Sequence, residues 1–414
     1  MTAVTSRPDS EQRHEQPIRP IRSLHVGANL LLSSPLADDT FMPERTDTSE
    51  QVRRLLPALA AAGHEVHVLT SGTAGREDVA LRDAGVAVTR VGRGAARGRL
   101  PLGPVLGEVS RLARWSDVVH VHLDESPTLP AAGLMDLVTA RPIIVHLHSS
   151  RGVPLRSGQR ASLWGRLVDA TLETRSLARA AAVVASSTPL AAVARSSGAT
   201  DVAVLPSLAD APGAGNLDRP PVDDHEGLRV VSVGPLVRRR RPLALVDALA
   251  LQPIDSHLYL LGDGPLRLAV DQRAREMGFG ERVHVIPRVQ WRTVCDHLSR
   301  ADAVVTAALT GEDSTAIRLA RRFGRPIVAT AIEDIPDLLS DGIDGLLVPP
   351  NNDVELSAAL RGVLTSRQRR AELGASARRR AAASGWTELA RRVVHVQSEV
   401  LRALGHELVV DRTW

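Results

Sequence analysis

The sequence predicts an α/β protein made of two doubly wound parallel sheets facing a central cleft. Three observations carry this. Short β-branched runs alternate with Ala-, Leu- and Arg-rich helical stretches along most of the chain. The alternation breaks once, at "SLADAPGAGNLDRPPVDDHEG" (207–227), and then restarts. The strand candidates lie too far apart for a fold built on hairpins.

In the first half, strands are expected at Leu24–Asn29, Glu65–Thr70, Val86–Val91, Asp117–His122, Ile143–His148 and Ala182–Ser186. Between them lie patterns such as "SEQVRRLLPALAAAG", which puts Val52, Leu55, Leu56 and Leu59 on one helical face, with Gly63 as the stop. The Gly, Pro and Asp content of 207–227 marks a linker. Strands resume at Arg229–Val233, His257–Leu261, Val283–Ile286, Ala303–Thr306, Ile327–Thr330 and Leu346–Val348. The expected organisation is therefore a disordered tail (1–20), a Rossmann-like domain (21–206), a linker (207–228) and a second Rossmann-like domain (229–384). A final helix (385–405) and a short tail (406–414) complete it. Such halves bind ligands in the gap between them, at the C-terminal ends of the strands.

Composition narrows the function classes. Hydrophobic residues make up 43% and charged residues 24%, ordinary values for a soluble enzyme. The pI near 10.4 overstates the basicity, since net charge is only +4 and every basic side chain is arginine. A nucleic-acid surface would add aromatics for stacking, and aromatics are only 2% of the chain, so no nucleic-acid partner is expected. One cysteine, Cys295, excludes a disulfide framework or a thiolate metal cluster and reads as a packed small side chain. The first 20 residues have no apolar core, and no run approaches the ~20 apolar residues a spanning helix needs, so a cytoplasmic protein is expected.

The second half carries the specific pattern. "VVSVGPLVRRRRPLALVDAL" reads as strand, Gly turn, basic loop and helix, and "HLYLLGDGPLRLAVDQRAREMG" as a strand ending in Gly262-Asp263-Gly264-Pro265 before a helix. "LSRADAVVTAALTGEDSTAIRLARRFGRPIVAT" and "EDIPDLLSDGIDGLLVPPNNDVELSAAL" follow. In this order the series resembles the donor-binding domain of the family 4 (group 1) retaining nucleotide-sugar glycosyltransferases, which have GT-B architecture. "LLPALAAAGHEVHVLT", "SDVVHVHLDE" and "RPIIVHLHSS" resemble the first domain more loosely, and "SGWTELARRVVHVQSEVLRAL" resembles the helix that crosses back to it. The resemblance covers about residues 21 to 405.

It implies transfer of a sugar from a nucleoside-diphosphate sugar to a small-molecule or cell-envelope acceptor, with retention and without a protein-bound catalytic metal. The donor is a co-substrate, and no further cofactor is implied. Negative charge builds on the leaving diphosphate, and fixed positive groups aimed at it lower the barrier. Arginine suits this through forked bonds to phosphate oxygens. By resemblance Arg240 faces the diphosphate, with Gly234 and Arg239 beside it. At least two of Arg238–Arg241 read equally well as solvated. Glu312 is the sugar contact if the alignment shifts by one residue, and N–H groups at Ser314 and Thr315 face phosphate. His148 lines the acceptor side.

Four elements depart from the family. Pro235 replaces an Arg, Leu319 replaces the ribose-binding Glu, Thr46-Asp47 replaces a Gly-Gly loop, and Glu333-Asp334 begins the turn that is usually Gly-Gly-Pro-Glu-like. They motivate the alternative: a catalytically impaired or atypical GT-B homologue that acts as a binding or partner protein. Two His-x-His pairs, His120/His122 and His146/His148, suggest a metal only if they converge, and no metal site is expected.

Overall fold

The computed structural model describes residues 20–27, 48–71, 75–91, 102–123, 134–148, 163–206, 227–253, 255–287, 290–310 and 314–406. The first half carries β1 (Arg22–Val26), α1 (Thr48–Ala61), β2 (Glu65–Ser71), α2 (Arg76–Asp83), β3 (Val86–Val91) and α3 (Leu102–Ala113). It continues with β4 (Val118–Leu123), β5 (Ile143–Leu147), α4 (Leu163–Arg179), β6 (Ala182–Ala185), α5 (Thr188–Ser196) and β7 (Val202–Val204). The second half holds β8 (Leu228–Val233), α6 (Pro242–Leu249), β9 (Ser256–Leu261), α7 (Arg267–Glu276), β10 (Val283–Ile286) and α8 (Trp291–Ser299). Then come β11 (Ala303–Thr306), α9 (Thr315–Arg322), β12 (Ile327–Thr330), α10 (Ile335–Leu338) and β13 (Leu346–Val348). Helices α11 (Asp353–Leu364), α12 (Arg367–Ala383) and α13 (Trp386–Ala403) close the chain.

The strands form two parallel sheets, ordered β3-β2-β1-β4-β5-β6-β7 and β10-β9-β8-β11-β12-β13. In each, strand order reverses beside the first strand, between β1 and β4 and between β8 and β11. Crevices open at such reversals, because the chain leaves toward opposite faces on the two sides. The predicted doubly wound α/β architecture is present in both halves. β7 was not predicted: its three half-buried residues are too short a run to stand out, and it forms as an edge pairing on β6. β1 begins two residues before its expected start, because Arg22 already pairs with Glu65 and its carbonyl accepts from the Asp117 N–H.

Burial on both sides explains the apolar runs of β4 and β5. On one face, Leu24, Val119, Val121 and Val145 pack with Val105 and Val109 of α3 and Leu177 of α4. On the other, Val52, Leu55 and Leu56 of α1 pack with Leu389, Val393 and Leu401 of α13. The final helix therefore returns to the first sheet, as the Gln397–His120 and Arg392–Val204 hydrogen bonds also show. In the second half, Cys295 is fully buried among Val294, Leu298 and Val304.

Candidate functional site

Gly234 ends β8 and starts a loop that approaches β9 closely. The Gly234 N–H donates to Leu261 O, and the Leu236 N–H to Asp263 O. Gly262 sits at φ +152, and a Cβ there would lie 2.1 Å from the Gly234 carbonyl oxygen. The Gly262-Asp263-Gly264 turn therefore exists to let two backbones touch. The four arginines are not one loop. Arg238–Arg240 make a single 3₁₀ turn, and Arg241 turns into the left-handed region at φ 51 so that α6 can begin at Pro242.

The turn separates their roles. Arg238 points to solvent, while Arg240 is only 7% exposed. Arg241 forks onto Asp353 at the start of α11, with contacts of 2.6 and 2.8 Å. Arg239 is half-buried, and its carbonyl accepts from Leu309 N–H, tying the turn to the exit of β11. The Arg240 guanidinium lies against the bare Cα of Gly234, where a Cβ would come within 3.0 Å of Nη1. Together Gly234, Pro235, Arg240, Pro242 and Thr306 line a small hollow at the C-terminal ends of the strands. One buried cation beside such a hollow favours an anion.

Ser314 and Thr315 stand at the start of α9. The Ser314 hydroxyl donates to Asp334 at 2.7 Å, and Arg318, also buried, holds the same carboxylate oxygen at 2.9 Å. Asp334 thus brings a carboxylate to the helix start, and Arg318 balances it. Leu319 is fully buried in the core, so it cannot meet a ribose. Glu312, Thr46 and Asp47 lie outside the described residues. Asp337 ends the turn that begins at Glu333-Asp334, and sequence reading missed its partner: its carboxylate accepts from the Thr188 N–H at 2.6 Å and its hydroxyl at 2.5 Å. Thr188 follows β6 and Asp337 follows β12, so this contact joins the C-terminal edges of the two sheets.

In the first sheet, the two His-x-His pairs converge. β4 and β5 are neighbours with His122 opposite His146, and β1 places His25 opposite His120. Period-two alternation sends these four rings to one face, where His148 joins them as the fifth, one residue beyond β5. His25 Nδ1 lies 3.1 Å from His122 Nε2, and His122 Nδ1 lies 3.1 Å from His148 Nε2. His120 Nδ1 lies 2.7 Å from His146 Nε2. The missed member was His25, alone in "RSLHV" and without a spacing to flag it. Burial pushes the pKa of His25 down to about 3 and that of His148 to about 4. Burial and then the neighbouring imidazoles hold His120, His122 and His146 well below the usual range. His148 stands half-buried beside a hollow that also touches Ser186 and Gln51.

Two parallel sheets with sites at their facing strand ends define the GT-B class. A glycosyl transferase 4-like domain matches residues 48–208, and a glycosyl transferases group 1 domain matches residues 217–380. The chain belongs to the group 1 glycosyltransferases of GT-B architecture. Among curated relatives, a D-inositol 3-phosphate glycosyltransferase of Xylanimonas cellulosilytica is 26% identical over 390 residues, covering 85% of this chain and 91% of that protein. A phosphatidyl-myo-inositol mannosyltransferase of Mycolicibacterium smegmatis is 26% identical over 372 residues, covering 84% and 89%. Among solved structures, Anabaena HepE in complex with UDP superposes with a TM-score of 0.64 at 17% identity, covering 92% of this chain and 100% of that one. Sucrose-phosphate synthase from Thermosynechococcus elongatus gives 0.65 at 18%, covering 93% and 100%. Among the described residues, no helix is long and apolar enough to cross a membrane.

Proposed function

We propose that the chain transfers a sugar from a nucleoside-diphosphate sugar to a small-molecule or cell-envelope acceptor, retaining the anomeric configuration. The observation that carries this is Arg240: a buried guanidinium, backed by Gly234, beside a hollow at strand ends. In the reaction, the bond between anomeric carbon and diphosphate oxygen breaks as the acceptor hydroxyl oxygen bonds that carbon. The acceptor's proton leaves with the diphosphate. Arg240 offsets the charge that grows on the leaving group, and the N–H groups at Ser314 and Thr315 add partial positive charge. Glu312 contacts the sugar, and His148 lines the acceptor side.

Support comes from the relatives named for inositol phosphate and phosphatidyl-inositol acceptors, and from HepE captured with UDP-glucose. The test is a panel of nucleoside diphosphates and their sugars screened for thermal stabilisation, followed by turnover of whichever donor binds. A donor that raises Tm and is consumed supports the reading. A silent panel supports the second reading, a binding or partner protein, which one observation favours: the Asp334 carboxylate already occupies the Ser314 hydroxyl.

A further inference from the structure

Five histidines on one face of the first sheet are arranged as three rings around a hollow with two further rings behind them. His122, His146 and His148 border the same hollow, which α1 closes with Gln51 and Val52. One nitrogen from each of these three rings lies within 4.8 Å of the other two. Behind them, His25 Nδ1 engages His122 Nε2 at 3.1 Å and His120 Nδ1 engages His146 Nε2 at 2.7 Å. Gln397 of α13 in turn meets His120 Nε2 at 2.7 Å. His122 turns its other nitrogen, Nδ1, toward His148 Nε2 at 3.1 Å. The third ring contributes Nε2 of His148, whose Nδ1 has no hydrogen-bond partner among the described residues.

Two of the three rings, His122 and His146, have the backing that a metal-ligating imidazole uses. A ligating imidazole uses one nitrogen for the ion, and its other N–H is held by a polar partner that fixes ring and tautomer. His25 and the His120–Gln397 pair stand in those supporting positions. Two nitrogens that share an ion at ~2.0–2.1 Å in a tetrahedral site are about 3.4 Å apart. His122 Nδ1 and His148 Nε2 are already at 3.1 Å. The third nitrogen, on His146, lies within 4.8 Å of both. Three nitrogens without a carboxylate or thiolate select against magnesium and calcium, which take oxygen.

We propose that His122, His146 and His148 bind one divalent transition-metal ion of the zinc class, with a fourth position open to the hollow.

The test uses the full-length chain, stripped with EDTA and titrated with Zn²⁺ alone against a chromophoric chelator. One ion per chain is expected. Binding should weaken at least ~10-fold in His122→Gln and His146→Gln, and by a similar factor in His120→Gln through the lost support. His257→Gln, which breaks the separate His257–His284 contact in the second sheet, should leave it unchanged. Unaltered Zn²⁺ binding in His122→Gln and His146→Gln, or loss in His257→Gln instead, overturns the proposal. X-ray absorption on the wild-type chain with one equivalent of Zn²⁺ covers the case in which a variant fails to fold. Three imidazoles at ~2.0–2.1 Å support the site, and fewer than three overturn it. None of these readouts involves sugar transfer, so they stand apart from the transferase reading.

Discussion

Replacing Arg240 with alanine removes the one charge that, among the described residues, the second-sheet hollow presents from a buried position. A guanidinium about 4 Å from a phosphate charge, in surroundings of effective dielectric ~20, contributes about 4 kcal/mol. Removing a single preorganised group of this kind from an anion site costs ~10²–10³-fold in turnover, which agrees. We therefore expect kcat/KM to fall ~10²–10³-fold in Arg240→Ala. In Arg240→Lys the point charge survives but the forked geometry is lost, so the fall should be smaller. Initial rates with the donor found by thermal screening give the comparison, and circular dichroism with Tm shows whether each variant is folded. Arg241→Ala is the neighbouring control: its guanidinium is taken up by Asp353, so it should cost stability at the α6–α11 contact rather than turnover. A folded Arg240→Ala enzyme within about threefold of wild type would refute the assignment of the hollow to the diphosphate.

Gly262→Ala should lower stability by more than ~2 kcal/mol and weaken donor stabilisation, because its Cβ would sit 2.1 Å from the Gly234 carbonyl at a φ that alanine resists. An unchanged Tm would contradict this account of the turn. Asp337→Ala removes an exposed contact between the two halves, so global stability should change by less than ~1 kcal/mol. The ligand-free chain should nevertheless be more expanded in small-angle scattering, and an identical radius of gyration would show that the contact does not hold the halves together. Cys295 should resist thiol reagents at pH 8 and react only after denaturation, since burial pushes its thiol up to about 11. The sign follows from a folded value above the unfolded one. The contribution is present below the unfolded pKa of 9.0 and is lost as pH rises through about 11. Rapid native labelling at pH 8 would count against it.

Strand positions were readable because buried parallel strands are mostly apolar: β11 and β12 are apolar up to a final Thr, and β4 and β5 are interrupted only by His120, His122 and His146. The hollow beside Arg240 was readable in part. A Gly turn between strand and helix locates a loop, but four identical arginines cannot be ranked by type. Their separation depends on a 3₁₀ turn and one left-handed residue, which send Arg240 inward, Arg241 to Asp353 and Arg238 to water. Nothing in the string marks Asp334 as the partner of Ser314 and Arg318, or Asp337 as the partner of Thr188, because those pairs form across separate elements.

What the sequence determined by itself was local and periodic: the two alternating halves, their parallel sheets, the turn that carries the arginines and the family the ordered motifs resemble. Tertiary structure decided which side chains meet. Strand order, with β1 beside β4 and β4 beside β5, brings His25, His120, His122, His146 and His148 into one stacked group although they span over a hundred residues of chain. Period-two alternation fixes the face each ring takes, but which strands lie side by side is settled only when the whole sheet packs.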